Sequence, residues 1–343
     1  MIATRTLTAT AIFLLVSLVA GNASAQTDRL YPVDGEVVIG KIKTISKEGV
    51  IITASGKDQT FAAGDIQRVL FQGDPPELTR GRDFILDGQY DQAYDQLKQL
   101  DMAKISRDDI RSDAQFYLAL SQGEMSLAGQ GDLTKSTQAA LGFVKQNPQS
   151  WHFYDTTRLL GDLAKAMGNY EKAALFYGYM RGAPSLDMKV ESVYQGGLVK
   201  LAQGDLAGAK EDLSKVAGMK PTTVESKRLQ TLSKASLAVV AAKEGQAQQA
   251  IEMVNDLIKT LNPADTATAA RIYNALGASY AAAGKDEDAI LAYLHTQLMY
   301  SMQAATHVEA LKELAQLWTK VGKPDRAAQA RGELQKRYPG LSG

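Results

Sequence analysis

The sequence has no cysteine, which excludes disulfides, thiolate metal sites, cysteine nucleophiles and lipid attachment through a thiol. It also has no excess of either charge. Its 38 basic and 38 acidic side chains cancel, so the strongly basic face of a dedicated nucleic-acid binder is not expected. Histidine is limited to His152, His295 and His307, no two of them at metal-ligand spacing. HExxH, P-loop, GxSxG, calcium-loop and dinucleotide glycine patterns are missing, so neither a metal nor a cofactor is expected. Prolines number 9 in 343 residues, and beyond residue 25 no run is apolar enough to span a bilayer. A hydrophobic content of 45% argues against a disordered chain.

The first segment reads as an address. Residues 1–25 carry one charge, Arg5, then an apolar run from Ala11 to Ala20, and close with Ala23-Ser24-Ala25. That is the layout of a signal peptide cleaved after Ala25. The run is about half of the roughly 20 residues a spanning helix needs, which leaves an uncleaved anchor as the alternative. The expected location is periplasmic or secreted, where a chain without thiols cannot mispair them.

Residues 30–73 form a second region. GEVVIGKIKTIS, GVIITAS, DQTFAA and IQRVLFQ are rich in Val, Ile, Thr and Phe, separated by turn-like Lys47-Glu48-Gly49, Ser55-Gly56-Lys57-Asp58 and Gly64-Asp65. Four or five short strands are expected, in a pattern that resembles an SH3-like or Sm-like small barrel. The unit reads either as a β cap docked on the helices or as a separate binding or self-associating module. Gly73-Asp74-Pro75-Pro76 marks its end.

Residues 74–341 repeat. Gly88, Gly131, Gly168, Gly204, Gly245, Gly284 and Gly322 recur at intervals of 36 to 43 residues. Five residues after six of them stands Ala93, Ala173, Ala209, Ala250, Ala289 or Ala327, with Ser136 in the remaining unit. Seven residues before six of them stands a small residue: Gly81, Gly161, Gly197, Ala238, Gly277 or Ala315. Leu97, Tyr177, Leu213 and Tyr293 lie nine after. Paired antiparallel helices require this arrangement. Small residues let the backbones approach at the crossing, large ones fill the space beside it, and glycine ends the first helix. Pro148, Pro184, Pro221, Pro263 and Pro339 then stop the second helices.

These columns resemble the tetratricopeptide repeat, best in Tyr273-x2-Leu276-Gly277-x2-Tyr280 with Gly284, Ala289 and Tyr293. The intervals exceed the usual period of about 34, and the unit over 117–150 departs most from the pattern. HEAT-like repeats fit the spacing but not the Gly and Ala columns. The expected fold is mainly α: a solenoid of about seven helix pairs behind a small β unit. The resemblance implies a concave face, lined by the first helix of each pair, that binds a peptide or protein. On this chain its candidates are Arg158, Asp162, Tyr194, Arg271, Asn274, Lys312 and Gln316. Lys312 and Gln316 resemble half of a clamp for a peptide carboxylate, which Leu198, Ala235, Val239 and Ala278 do not complete.

The histidines read as packed residues, and Asp286-Glu287-Asp288 and Arg107-Asp108-Asp109 as helix starts favoured by the dipole. The expectation is an exported scaffold or adaptor of the cell envelope, without catalysis. The alternatives are self-association through the β unit, or an enzyme subunit for envelope polymers with His152, Tyr154 and Asp155 clustered in a cleft.

Overall fold

The computed structural model describes residues 27–341; the expected signal peptide lies outside them. Among the described residues five strands come first: β1 (Asp28–Pro32), β2 (Val38–Ser46), β3 (Gly49–Ala54), β4 (Lys57–Ala62) and β5 (Ile66–Leu70). They form one antiparallel sheet in the order β4-β3-β2-β1-β5, loosely like an SH3-like barrel. The expected strands begin near residue 35, so β1 is new. Its sequence, DRLYP, mixes charge with proline and carries little strand signal. Asp28, at 0% exposure, anchors it. Its carboxylate accepts from the backbone N–H groups of Ile42 (3.2 Å) and Gln72 (2.9 Å) and from the Arg107 guanidinium (2.7 and 3.0 Å).

The rest of the described chain holds fourteen helices, in seven antiparallel pairs. They are α1 (Pro76–Leu86) with α2 (Tyr90–Leu97), α3 (Asp108–Leu127) with α4 (Leu133–Gln146), and α5 (Phe153–Ala166) with α6 (Tyr170–Tyr179). Next come α7 (Leu186–Ala202) with α8 (Leu206–Gly218) and α9 (Val224–Lys243) with α10 (Ala247–Lys259). The array ends in α11 (Thr266–Ala282) with α12 (Asp286–Met299) and α13 (Ala304–Lys320) with α14 (Pro324–Arg337). None of the described helices is long and apolar enough to cross a membrane.

The repeated residue types do what their spacing predicts. A Cβ built on Gly81 would lie 2.6 Å from the Leu97 side chain, on Gly197 2.9 Å from Leu213, and on Gly277 2.6 Å from Tyr293. Gly161 meets Tyr177 in the same way. Where the facing residue is the smaller Val254, Ala238 takes the place of glycine. The column that breaks is the second pair. There the left-handed turn residue is Gly129 (φ +80°), and Gly131 has no positive φ. Gln130 N–H donates to the Met125 carbonyl (2.8 Å), the same closing bond that Gln89 makes to Phe84 and Lys323 to Trp318. With Gly129 in the series, all intervals fall between 36 and 41. In this pair the close crossing is made by hydroxyls: the Ser136 and Ser126 Oγ atoms are 2.8 Å apart, and Ser136 also donates to the Gln122 carbonyl.

The β unit is docked, and it shares its core. Leu30, Val50, Ile52, Val69 and Phe71 are buried in one cluster with Leu78, Leu97, Ile110, Phe116 and Trp151. At the centre of that junction the Arg82 guanidinium, fully buried, binds Asp113 (2.5 and 2.8 Å) and Asp74 (2.6 Å). His152 Nε2 stands 2.7 Å from the other Asp113 oxygen. Burial alone would raise the Asp113 carboxyl, but Arg82 and His152 hold it below the usual range. Asp74, paired with Arg82, stays raised by burial.

Candidate functional site

Antiparallel pairing sends every odd-numbered helix along one face of the array. A pocket of about 190 Å³ on this face is lined by α5, α7, α9, α11 and the start of α13, with no even-numbered helix taking part. Five helices can reach one pocket only if the array curves strongly. Lys165, Glu191, Arg228 and Arg271 supply its charges, Tyr194, Leu198, Leu229 and Leu232 its apolar floor, and Gln195 and Gln303 further polar groups.

Each base has an acid or amide partner beside the pocket. Arg228 forms a two-pronged pair with Glu225 on its own helix (2.6 and 2.8 Å), and Arg271 donates to Glu309 (3.0 Å). Lys165 donates to Gln195 (3.1 Å) and stands 3.6 Å from Asp162. Burial lowers the Lys165 ammonium, Asp162 opposes that, and Arg271 across the pocket adds to it. Burial would also lower Arg271, but Glu309 and Tyr194 carry it above the ordinary guanidinium value.

Towards α3 the same face becomes acidic. Arg158 is held well above its ordinary value, chiefly by Glu191 and further by Asp155, Asp162 and Glu124. Burial pushes the Glu124 carboxyl up to about 6, from an ordinary 4.5. A folded value above the unfolded one means that the stabilising contribution is complete below pH 4.5 and lost as pH rises through about 6. Glu124→Gln is therefore expected to raise stability at pH 8 by about 1 kcal/mol, after allowance for solvent screening, and to change it little at pH 4.5. Urea midpoints at the two pH values check this; an equal gain at both would show that the charge is not the cause.

Arg158, Asp162 and Arg271 lie half-buried along this face, and Asp162 accepts from the Tyr177 hydroxyl (2.7 Å). Tyr194 contributes to the pocket floor at 4% exposure. Lys312 and Gln316 stand further along α13, half-buried and exposed, outside the pocket lining. Asn274 is 1% exposed: its amide donates to the Thr306 carbonyl (2.9 Å), joining α11 to α13, and it does not line the pocket. Lys165, Glu191, Gln195 and Arg228 were not among the expected residues. Arg228 lies seven residues before Ala235, two turns nearer the helix start on the same face, which is the periodicity that could have found it.

The proposed catalytic cluster does not form a cleft. His152 is 2% exposed, with its ring stacked on Phe116 (3.6 Å between centroids) and against Trp151. The Tyr154 hydroxyl is turned away to the Gly182 carbonyl (2.9 Å). His295 stacks on Tyr273. Among the described residues no group of acids and histidines could hold a metal. A larger hollow of about 370 Å³ lies between the β5–α1 link and the α2–α3 loop, where Arg107 is already committed to Asp28.

No protein-family model and no curated protein matches the sequence. Solved structures do match. A tetratricopeptide repeat protein from Parabacteroides merdae aligns over 76% of this chain and 91% of its own, at 17% identity and a TM-score of 0.51. A Rap protein complexed with Competence and Sporulation Factor aligns over 78% of this chain and 75% of its own, at 16% identity and a TM-score of 0.55. At these identities the likeness shows the fold alone: the helical array is folded like a tetratricopeptide-repeat solenoid.

Proposed function

We propose that this chain is an exported interaction scaffold of the bacterial cell envelope, binding an extended segment of a protein partner along the face of odd-numbered helices. The observation that carries the reading is the five-helix pocket, in which partly desolvated charges of both signs surround an apolar floor. At about 190 Å³ it is smaller than the roughly 300–1,000 Å³ usual for small-molecule sites, and it suits side chains of a peptide. The Rap structure, a complex with Competence and Sporulation Factor on the same fold, supports a binding role. Affinity would come from a preformed groove that needs little ordering when the partner enters.

Two measurements test the reading. The intact mass of protein recovered from periplasm should correspond to a chain starting at Gln26; recovery only from cytosol with Met1 to Ala25 attached would end the export part. Capture from envelope extract should give partners that the Arg228→Ala, Arg271→Ala double variant fails to retain. Equal capture by both proteins would remove the groove assignment.

Self-association through the β unit is the alternative function. Val33, Val37 and Ile39 are 43 to 60% exposed on the β unit, and among the described residues β4 has a strand neighbour on one side only. Self-association through this unit would result, and a concentration-independent monomer mass in light scattering would dispose of it.

A further inference from the structure

Repeat arrays are quasi-one-dimensional: each pair normally touches only the pairs beside it. This one breaks that rule at its C-terminal end. After α14 the chain makes a 3₁₀ turn, Pro339–Leu341, and Leu341 packs against two separate cores. One belongs to the last pairs and contains Leu314, Leu334 and Tyr338; the other belongs to the second and third pairs and contains Leu133, Leu160 and Leu163.

The meeting point is Gly129. A Cβ there would lie 2.7 Å from the Tyr338 Cα and 2.8 Å from the Arg337 carbonyl oxygen. Gly340 comes within 3.9 Å of the Gly131 carbonyl oxygen by the same measure. Tyr338 is 1% exposed, with its hydroxyl 2.8 Å from His307 Nδ1, and Arg337 donates to the Ser301 carbonyl (2.7 Å). Glycine at 129 therefore serves two ends. Its φ of +80° closes α3, and its missing side chain admits the backbone of the C-terminal strap.

We propose that residues 337–341 are a clasp that joins the seventh helix pair to the second, closes the array into a ring, and so sets the width of the groove. Closure bends the array enough for Lys165 of α5 and Thr306 of α13 to line one pocket. With the clasp released, the array relaxes towards an open solenoid and those two lips separate. The closure stands whether or not the groove binds a partner. Its effect on binding rests on the scaffold function proposed above.

The test needs no partner. Because the chain has no cysteine, Lys135→Cys on α4 and Lys336→Cys on α14 place two unique spin labels on exposed positions either side of the seam. Pulsed electron–electron distance measurement should give one narrow, short distribution for the full chain. Ending the chain at Arg337 should broaden it and lengthen it by about a helix diameter, ~10 Å. Gly129→Ala should do the same, because its methyl group displaces Tyr338. Gly168→Ala is the control: its φ is +72° and nothing lies within 4 Å of its Cβ position, so it carries the same backbone strain without the clash. Helicity by circular dichroism confirms that each variant is folded. The proposal is overturned by a broad, long distribution in the full chain, by truncated and Gly129→Ala proteins that keep the short distance, or by a Gly168→Ala shift equal to that of Gly129→Ala.

Discussion

Arg82→Ala is expected to lower the unfolding free energy by about 3–5 kcal/mol, the cost of leaving buried charge uncompensated. The Arg82 side chain is 0% exposed, and its partners Asp74 and Asp113 are 6% and 1% exposed. With the guanidinium gone, two carboxylates remain in a junction built from Phe71, Tyr117, Phe116 and Trp151, with His152 facing only one of them. The loss should be seen first as undocking of the β unit, because Asp74 sits on its link to α1 while Arg82 and Asp113 belong to α1 and α3. Arg80→Ala on the same helix is the contrast. Its ion pair with Glu77 is 3.5 Å long and largely exposed, so its removal should change stability by less than about 1 kcal/mol. Urea titration followed by circular dichroism measures both. Adding Asp74→Asn and Asp113→Asn to Arg82→Ala should recover part of the loss. A change below about 1 kcal/mol for Arg82→Ala would mean that the buried charges do not hold the two units together.

The second large effect is on binding. Arg271→Ala is expected to weaken partner retention by about 10- to 100-fold, corresponding to about 1.4–2.7 kcal/mol. Arg271 stands in the pocket wall, paired to Glu309 and facing Lys165 across the opening. A partner carboxylate entering there would meet two cations held close together in a partly desolvated site, where hydrogen bonds to charged groups are strongest. Stability should fall by less than about 1 kcal/mol, because Glu309 is 43% exposed and regains water. Lys312→Ala, outside the pocket, should weaken retention far less. Quantitative capture from envelope extract, with helicity as the fold control, checks the two statements about retention, and urea titration checks the one about stability. A stronger loss from Lys312→Ala than from Arg271→Ala would move the site along α13.

Much of this fold was legible because helix crossings dictate residue size. The pairs Gly81 with Leu97, Gly197 with Leu213 and Gly277 with Tyr293 are local in sequence, and a periodic pattern exposes them. The second pair escaped because Gly131 stands near the expected place, while the backbone turns at Gly129. Spacing alone cannot tell two glycines apart; the closing bond from Gln130 does. Strand β1 escaped for another reason. It is held by Asp28, whose partners Ile42, Gln72 and Arg107 are distant in the chain, and a buried carboxylate leaves no hydrophobic period to read.

The groove was legible as a face and less so as a site. Arg158, Asp162 and Arg271 were named from the resemblance to the tetratricopeptide repeat, which implies a binding face on each first helix. The curvature that gathers Lys165, Arg228 and Arg271 into one pocket is a sum over several crossings and a closing strap, and no single repeat encodes it. Asn274 shows the limit. It occupies a groove position by register, yet packing of α13 buries it against Thr306.

If the groove is the binding site, a partner enters the face of odd-numbered helices. Photo-cross-linking in intact cells tests it most directly, with a benzophenone side chain placed at Gln195 in the pocket or at exposed Gln248 on α10. A discrete cross-linked partner is expected from Gln195, lost with Arg271→Ala, and none from Gln248. The same partner from Gln248, with nothing from Gln195, would contradict the groove assignment.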